Sequence, residues 1–171
     1  YAKTSGTMDL YFSRTHGKAV LRRSRLPTRQ ALSILDFGCG PGFMWDHVLE
    51  ASPNWGYTGL DFSPDSISAV NSRCGDHPQF RGALAVAELP SALPDASFDV
   101  ILLVEVVEHL RDEYLFATLS ELKRLLKPGG SVVVTTPNEE DLSALHKFCP
   151  ECGAVYHEWQ HERSWSADSL S

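Results

Sequence analysis

From Ser33 onward, short apolar runs alternate with stretches in which apolar residues recur at helical spacing. Ile34, Leu35 and Phe37 form a first run that ends in Gly38-Cys39-Gly40-Pro41-Gly42, and Met44 to Leu49 then continue at helical spacing. That is strand, glycine turn, helix. Tyr57 to Asp61 reads as a second strand, followed by Ser63 as helix N-cap with Pro64 at the first helical position. Phe80 to Ala83 is a weaker third strand. Phe98 to Val104 is a near-continuous apolar run, as expected of an interior strand covered by helices on both faces. Tyr114 to Leu126 repeats Leu115, Leu119, Leu122, Leu125 and Leu126 at helical spacing and stops at Lys127-Pro128-Gly129-Gly130. Ser131 to Thr136 is a fifth strand. Alternating strands and helices predict a parallel, doubly wound α/β sheet. Residues 1–30 read as a cap segment with a short helix over Ala19 to Leu26, 31–138 as the core, and 139–171 as a Cys/His/Trp-rich insert without periodicity. Ser166 and Asp168 signal the start of a C-terminal helix.

Length and charge narrow the function classes. A chain of 171 residues, 43% hydrophobic, supports one compact domain. A formal charge of −7 gives no general field for nucleic acid or an anionic membrane. Lys18, Arg22, Arg23, Arg25 and Arg29 crowd the segment before the first strand and read as a solvated helix face. No stretch approaches the roughly 20 apolar residues of a membrane span and no signal-peptide pattern opens the chain, so a soluble cytoplasmic protein is expected. The chain starts without Met and stops after the helix-start signal, so both ends read as cut.

In an open parallel sheet the ligand sits outside the carboxyl ends of the strands, where the strand order reverses. The glycine turn and Asp61 both fall at such ends, and Asp61 can accept hydrogen bonds from both hydroxyls of a ribose. A nicotinamide dinucleotide fits poorly. Its G-x-G-x-x-G fingerprint would need a glycine at Phe43, and Asp36 would repel a pyrophosphate but suits a cationic amino-acid group.

Ile34 to Gly42 resembles the first motif of class I S-adenosylmethionine-dependent methyltransferases of the type 11 and 12 kind. Gly59-Leu60-Asp61-Phe62-Ser63 resembles their second-strand acidic motif. Leu89-Pro90 with Ser97-Phe98-Asp99 resembles the approach to strand four, and Leu125 to Gly130 the run into strand five. The resemblance spans residues 30–138 and implies a Rossmann-like, mostly parallel sheet that here lacks the family's last two strands. It further implies S-adenosylmethionine as cofactor and S-adenosylhomocysteine as product. Asp36, Gly38, Cys39, Gly40 and Gly42 would receive the methionine and ribose part, Asp61 the ribose hydroxyls and Phe62 the adenine, with Ser63, Val104 and Glu105 bordering the site. Many relatives hold the adenine amino group with an acidic residue five positions before the Leu-Pro proline. Ala85 stands there in this chain, which leaves adenine to a backbone amide near Val86 or Ala87.

After strand four comes Glu105-Val106-Val107-Glu108-His109. If this segment is helical, Glu105, Glu108 and His109 share one face and can hold a divalent ion that lowers the pKa of an acceptor hydroxyl. The pattern resembles the metal motif of small-RNA terminal 2′-O-methyltransferases and ubiquinone-pathway O-methyltransferases, in which a later histidine joins, here matched by His161. The metal-free alternative makes His109, with Glu108 beside it, the general base. A separate pattern, Cys149, Cys152, His157 and His161 at C-x2-C-x4-H-x3-H, has the spacing of a structural zinc site and competes for His161. The leading expectation is methyl transfer to oxygen on a small-molecule acceptor, with zinc as a further metal and magnesium behind it. Two alternatives stand beside it: a zinc-bearing, non-catalytic binding module on the same shell, and an RNA methyltransferase.

Overall fold

A computed structural model describes residues 15–170. The first part of the expected cap segment, residues 1–14, lies outside the described residues. The rest begins with α1 (Gly17–Ser24), on which Val20 and Leu21 face inward while Lys18, Arg22 and Arg23 stay exposed. The core then runs β1 (Leu32–Phe37), α2 (Trp45–Ala51), β2 (Trp55–Asp61), α3 (Pro64–Cys74), β3 (Phe80–Ala85), β4 (Phe98–Val104), α4 (Asp112–Leu125) and β5 (Leu126–Thr135).

The five strands form one parallel sheet in the order β3-β2-β1-β4-β5. Alternation of side chains divides β1 between two cores. Ile34 joins Trp45, Val48, Tyr57, Val70 and Leu102 on one face, and Leu35 and Phe37 join Leu60, Ile101, Leu103, Leu122 and Leu125 on the other. β4 is buried along its length apart from Asp99, as its apolar run requires. The strand order reverses between β1 and β4, which puts the ligand crevice at the carboxyl ends of those two strands. Ser63 caps α3 by accepting the Ser66 N–H at 3.2 Å, and Pro64 follows it in the first turn.

Residues 142–157 are structured: a single-turn helix (Leu142–Leu145) leads into an antiparallel hairpin of β6 (His146–Phe148) and β7 (Val155–His157). From Ser166 the chain turns, the Ser166 carbonyl accepting the Ser169 and Leu170 N–H groups at 3.2 Å. The serine and aspartate that signal an N-cap serve tight turns equally well. No helix of the described residues is long and apolar enough to cross a membrane.

Candidate functional site

The chain leaves β1 through a turn that only glycine adopts readily. Gly38, Gly40 and Gly42 have φ of 81°, 51° and 89°. A Cβ on Gly38 would stand 2.6 Å from Val106, and one on Gly42 2.6 Å from Val70, so the turn is packed as well as left-handed. The Gly38 and Cys39 N–H groups both donate to the Leu60 carbonyl, at 2.7 and 3.0 Å, which ties the turn to the end of β2. Cys39 is buried, and burial beside Asp36 and Asp61 keeps its thiol protonated, so only its backbone is presented outward.

Asp61 ends β2 and is held from two sides. One carboxylate oxygen accepts the Gly40 N–H at 2.8 Å and the other the Ser63 N–H at 2.8 Å. Each oxygen retains a lone pair for a ribose hydroxyl. Phe62 next to it is 41% exposed and meets Phe37 edge-on at 6.4 Å, leaving one ring face available. The Val86 N–H already donates to the Asp61 carbonyl at 3.0 Å. Of the two amides expected to meet adenine, Ala87 is therefore the one left. Asp36 lies below the turn, 2% exposed, where it accepts the Tyr57 hydroxyl at 2.6 Å. Burial, with a further push from Asp61 and against the Tyr57 bond, raises its carboxyl to about 7.

The segment after β4 departs from the helical expectation. Val104 is buried at the strand end. Glu105 has φ of 54°, and its N–H donates to the Thr135 carbonyl at 3.1 Å. Only then does a single helical turn, Val107–His109, begin. The left-handed residue breaks the i, i+3, i+4 relation, and the Glu105 carboxylate accepts the Thr135 hydroxyl at 2.7 Å and faces His16 at 3.5 Å. Such a strained non-glycine residue at a strand end is a signature of functional sites. Glu105 thus stays near enough to Glu108 and His109 to act on them electrostatically but does not join their donor group.

The tail replaces it. Residues 157–165 return across the turn after β4. The Glu162 N–H donates to the Glu108 carbonyl at 2.7 Å, Arg163 bonds the Leu110 carbonyl and Asp112, and the Glu139 N–H donates to the Trp165 carbonyl at 2.6 Å. This docking brings His161 to His109, their ring centroids 4.8 Å apart, and sets donor atoms of Glu108, His109 and His161 within 4.8 Å of one another. Glu108 is 1% exposed, and neither of its oxygens has a hydrogen-bond partner. Burial raises its carboxyl to about 7, Glu105 adding to the push, with Thr136 near enough to oppose it. Burial and the neighbouring His161 lower the His109 pKa, so its imidazole is neutral at pH 7.

A second group, Glu140, His157 and His161, shares the last histidine. His161 Nδ1 lies 2.5 Å from one Glu140 oxygen, and His157 Nε2 lies 3.9 Å from the other. Glu140 was invisible to spacing arguments, since it sits in the acidic run Asn138 to Asp141 with nothing to single it out.

The four-residue zinc set is not brought together. Cys149 and Cys152 occupy the tip of the β6–β7 hairpin, where the Gly153 N–H donates to the Cys149 carbonyl at 2.9 Å. His157 pairs with His146 at the hairpin base, and His161 lies beyond it. A strand rises about 3.4 Å per residue, so the length of β7 stands between the thiols and the imidazoles. Among the described residues, neither group of candidate metal donors includes a cysteine.

Comparison with known proteins bears on the family and the fold. Residues 35–132 match the model of a family described as a methyltransferase domain. A protein of Mycolicibacterium smegmatis named "probable S-adenosylmethionine-dependent methyltransferase" is 39% identical over 105 residues, covering 61% of this chain and 38% of that protein. A malonyl-[acyl-carrier protein] O-methyltransferase of Pseudescherichia vulneris is 30% identical over 147 residues, covering 86% of this chain and 55% of its own. The chain thus spans only about two fifths to half of the length of such relatives. Among solved structures, a SAM-dependent methyltransferase of Aquifex aeolicus superposes with a TM-score of 0.62 at 21% identity, covering 84% of this chain and 73% of that one. This likeness establishes the Rossmann-like fold.

Proposed function

The chain belongs to the methyltransferase-domain family, and from that premise we propose that it binds S-adenosylmethionine at the glycine turn and directs methyl transfer to an oxygen of a small-molecule acceptor at Glu108, His109 and His161. The observation that carries the cofactor assignment is the Asp61 carboxylate, fixed by the Gly40 and Ser63 amides with lone pairs to spare. In this reading Phe62 and the Ala87 amide take adenine, and the backbone of Gly38 to Gly42 takes the methionine part.

S-adenosylmethionine supplies the methyl group as an electrophile on a sulfonium. The protein's part is to hold an acceptor oxygen in line and to take its proton. Without a metal, His109, held neutral, is the group that accepts that proton. The buried, unpartnered Glu108 carboxylate beside two imidazoles also fits a divalent cation, with Glu108, His109 and His161 as its donors. Such a cation would lower the pKa of an acceptor hydroxyl. Relatives named as O-methyltransferases support oxygen as the acceptor atom. A relative of Gallus gallus named as a tRNA N(3)-cytidine methyltransferase, 28% identical, supports the RNA alternative, which the charge of −7 weighs against.

Calorimetric titration with S-adenosylmethionine and S-adenosylhomocysteine tests the cofactor site. Asp61→Ala removes two charge-assisted bonds, each worth about 1.5–3 kcal/mol, and is expected to weaken both ligands at least tenfold. Equal affinity in wild type and variant would reject the assignment.

A further inference from the structure

We propose that Glu140 is a positioning residue for the acceptor site: it fixes His161 as the Nδ1–H tautomer, so that Nε2 offers its lone pair beside Glu108 and His109 as the third donor of a divalent cation. The proposal rests on the cation reading given above and adds to it a residue outside the three donors.

The Nδ1 of His161 lies 2.5 Å from a Glu140 oxygen. An ionised carboxylate only accepts, so the nitrogen facing it carries the proton. Nε2 of a neutral ring is then bare, and it is the nitrogen left for the side where Glu108 and His109 converge. His109 has the Gln160 backbone beside its ring, on the side that favours a ring N–H there. Histidines that ligate metals donate their other ring N–H to a carboxylate or a backbone carbonyl, which orients the ring and strengthens it as a donor. Here one histidine has the carboxylate and the other has the backbone. The third donor, Glu108, is buried with both oxygens unpartnered.

The competing group, Glu140 with His157 and His161, is excluded as the ion site by the same reasoning. His157 Nδ1 accepts the His161 backbone N–H at 3.2 Å. The proton of a neutral His157 is therefore on Nε2, the nitrogen that faces Glu140 at 3.9 Å. A protonated nitrogen cannot ligate. Glu140 accepts from His161 alone, with His157 Nε2 facing it beyond hydrogen-bond distance, and the stacked rings of His157 and His161, 4.8 Å apart, keep His161 from rotating away. The ion belongs on the other side of His161.

The test uses the untagged chain with Co2+ as probe and two readouts. Long-range 1H–15N correlation spectra of the metal-free protein report the His161 tautomer, and calorimetry reports Co2+ affinity. Wild type should show Nδ1–H. Glu140→Gln keeps an acceptor oxygen but loses the charge, so it should retain that tautomer and bind Co2+ about tenfold more weakly. Glu140→Leu should shift the ring toward Nε2–H and weaken Co2+ by up to about 100-fold. Wild-type tautomer with wild-type Co2+ affinity in the Leu variant would overturn the proposal. If the Leu variant does not fold, undiminished Co2+ affinity in the Gln variant overturns it instead. Failure of wild type to bind Co2+ would reject the cation reading alone. The tautomer comparison then decides the role of Glu140 by itself.

Discussion

Asp36 is buried beneath the glycine turn, its carboxyl on the hydroxyl of Tyr57 from the neighbouring strand. The contact has a measurable consequence. A carboxyl raised from 3.8 to about 7 is favoured in its protonated form by folding. Its stabilisation is complete below about pH 4 and is lost as pH rises through about 7, at most about 4 kcal/mol. Asp36→Asn keeps an acceptor for the Tyr57 hydroxyl and removes the titration. In the cofactor-free chain, urea unfolding at pH 5 and pH 8 should show a smaller fall in stability for the variant than for wild type. An equal fall in both would place the pH sensitivity elsewhere. Glu108 carries the same sign of shift and steepens the fall, while His109, whose pKa is lowered, acts in the opposite direction.

At the scale of elements, the strands and helices of the core followed from apolar periodicity because each buries a face against the sheet. β1, β4 and the Ser63-Pro64 start of α3 lie where the pattern puts them. The segment after β4 did not follow. Helical spacing predicted a shared face for Glu105, Glu108 and His109, but the Thr135 backbone and hydroxyl on the adjacent strand hold Glu105 in a left-handed conformation. Tertiary hydrogen bonds there outweigh helix propensity. The hairpin gives a second instance. Loop spacing alone suggested that Cys149, Cys152, His157 and His161 converge, whereas the β6–β7 pairing carries the thiols away from the imidazoles. Substituting Cys149→Ser and Cys152→Ser together should therefore leave Co2+ affinity unchanged, with no thiolate charge-transfer band in the wild-type spectrum. Such a band, lost in the double variant, would show that the cysteines ligate the ion after all.

At the scale of the molecule, two distant parts of the sequence make one site. The proposed cofactor half is continuous with the core, formed by the ends of β1 and β2, and is readable as a motif. The proposed acceptor half is made where residues 157–165 dock on the turn after β4 through Glu162 and Arg163, and on Glu139 after β5 through Trp165. That is why Glu140 and the true neighbours of His161 could not be read from spacing. Both halves lie at the carboxyl ends of the strands, on either side of the point where the strand order reverses. The central claim is that this arrangement delivers the cofactor's reactive sulfur to the carboxylate and imidazole cluster. A crystal structure of the chain with S-adenosylhomocysteine tests it most directly. The account predicts both ribose hydroxyls within hydrogen-bonding distance of Asp61 and the sulfur facing Glu108, His109 and His161. Ribose bound away from Asp61, or a sulfur turned from that cluster, would contradict it.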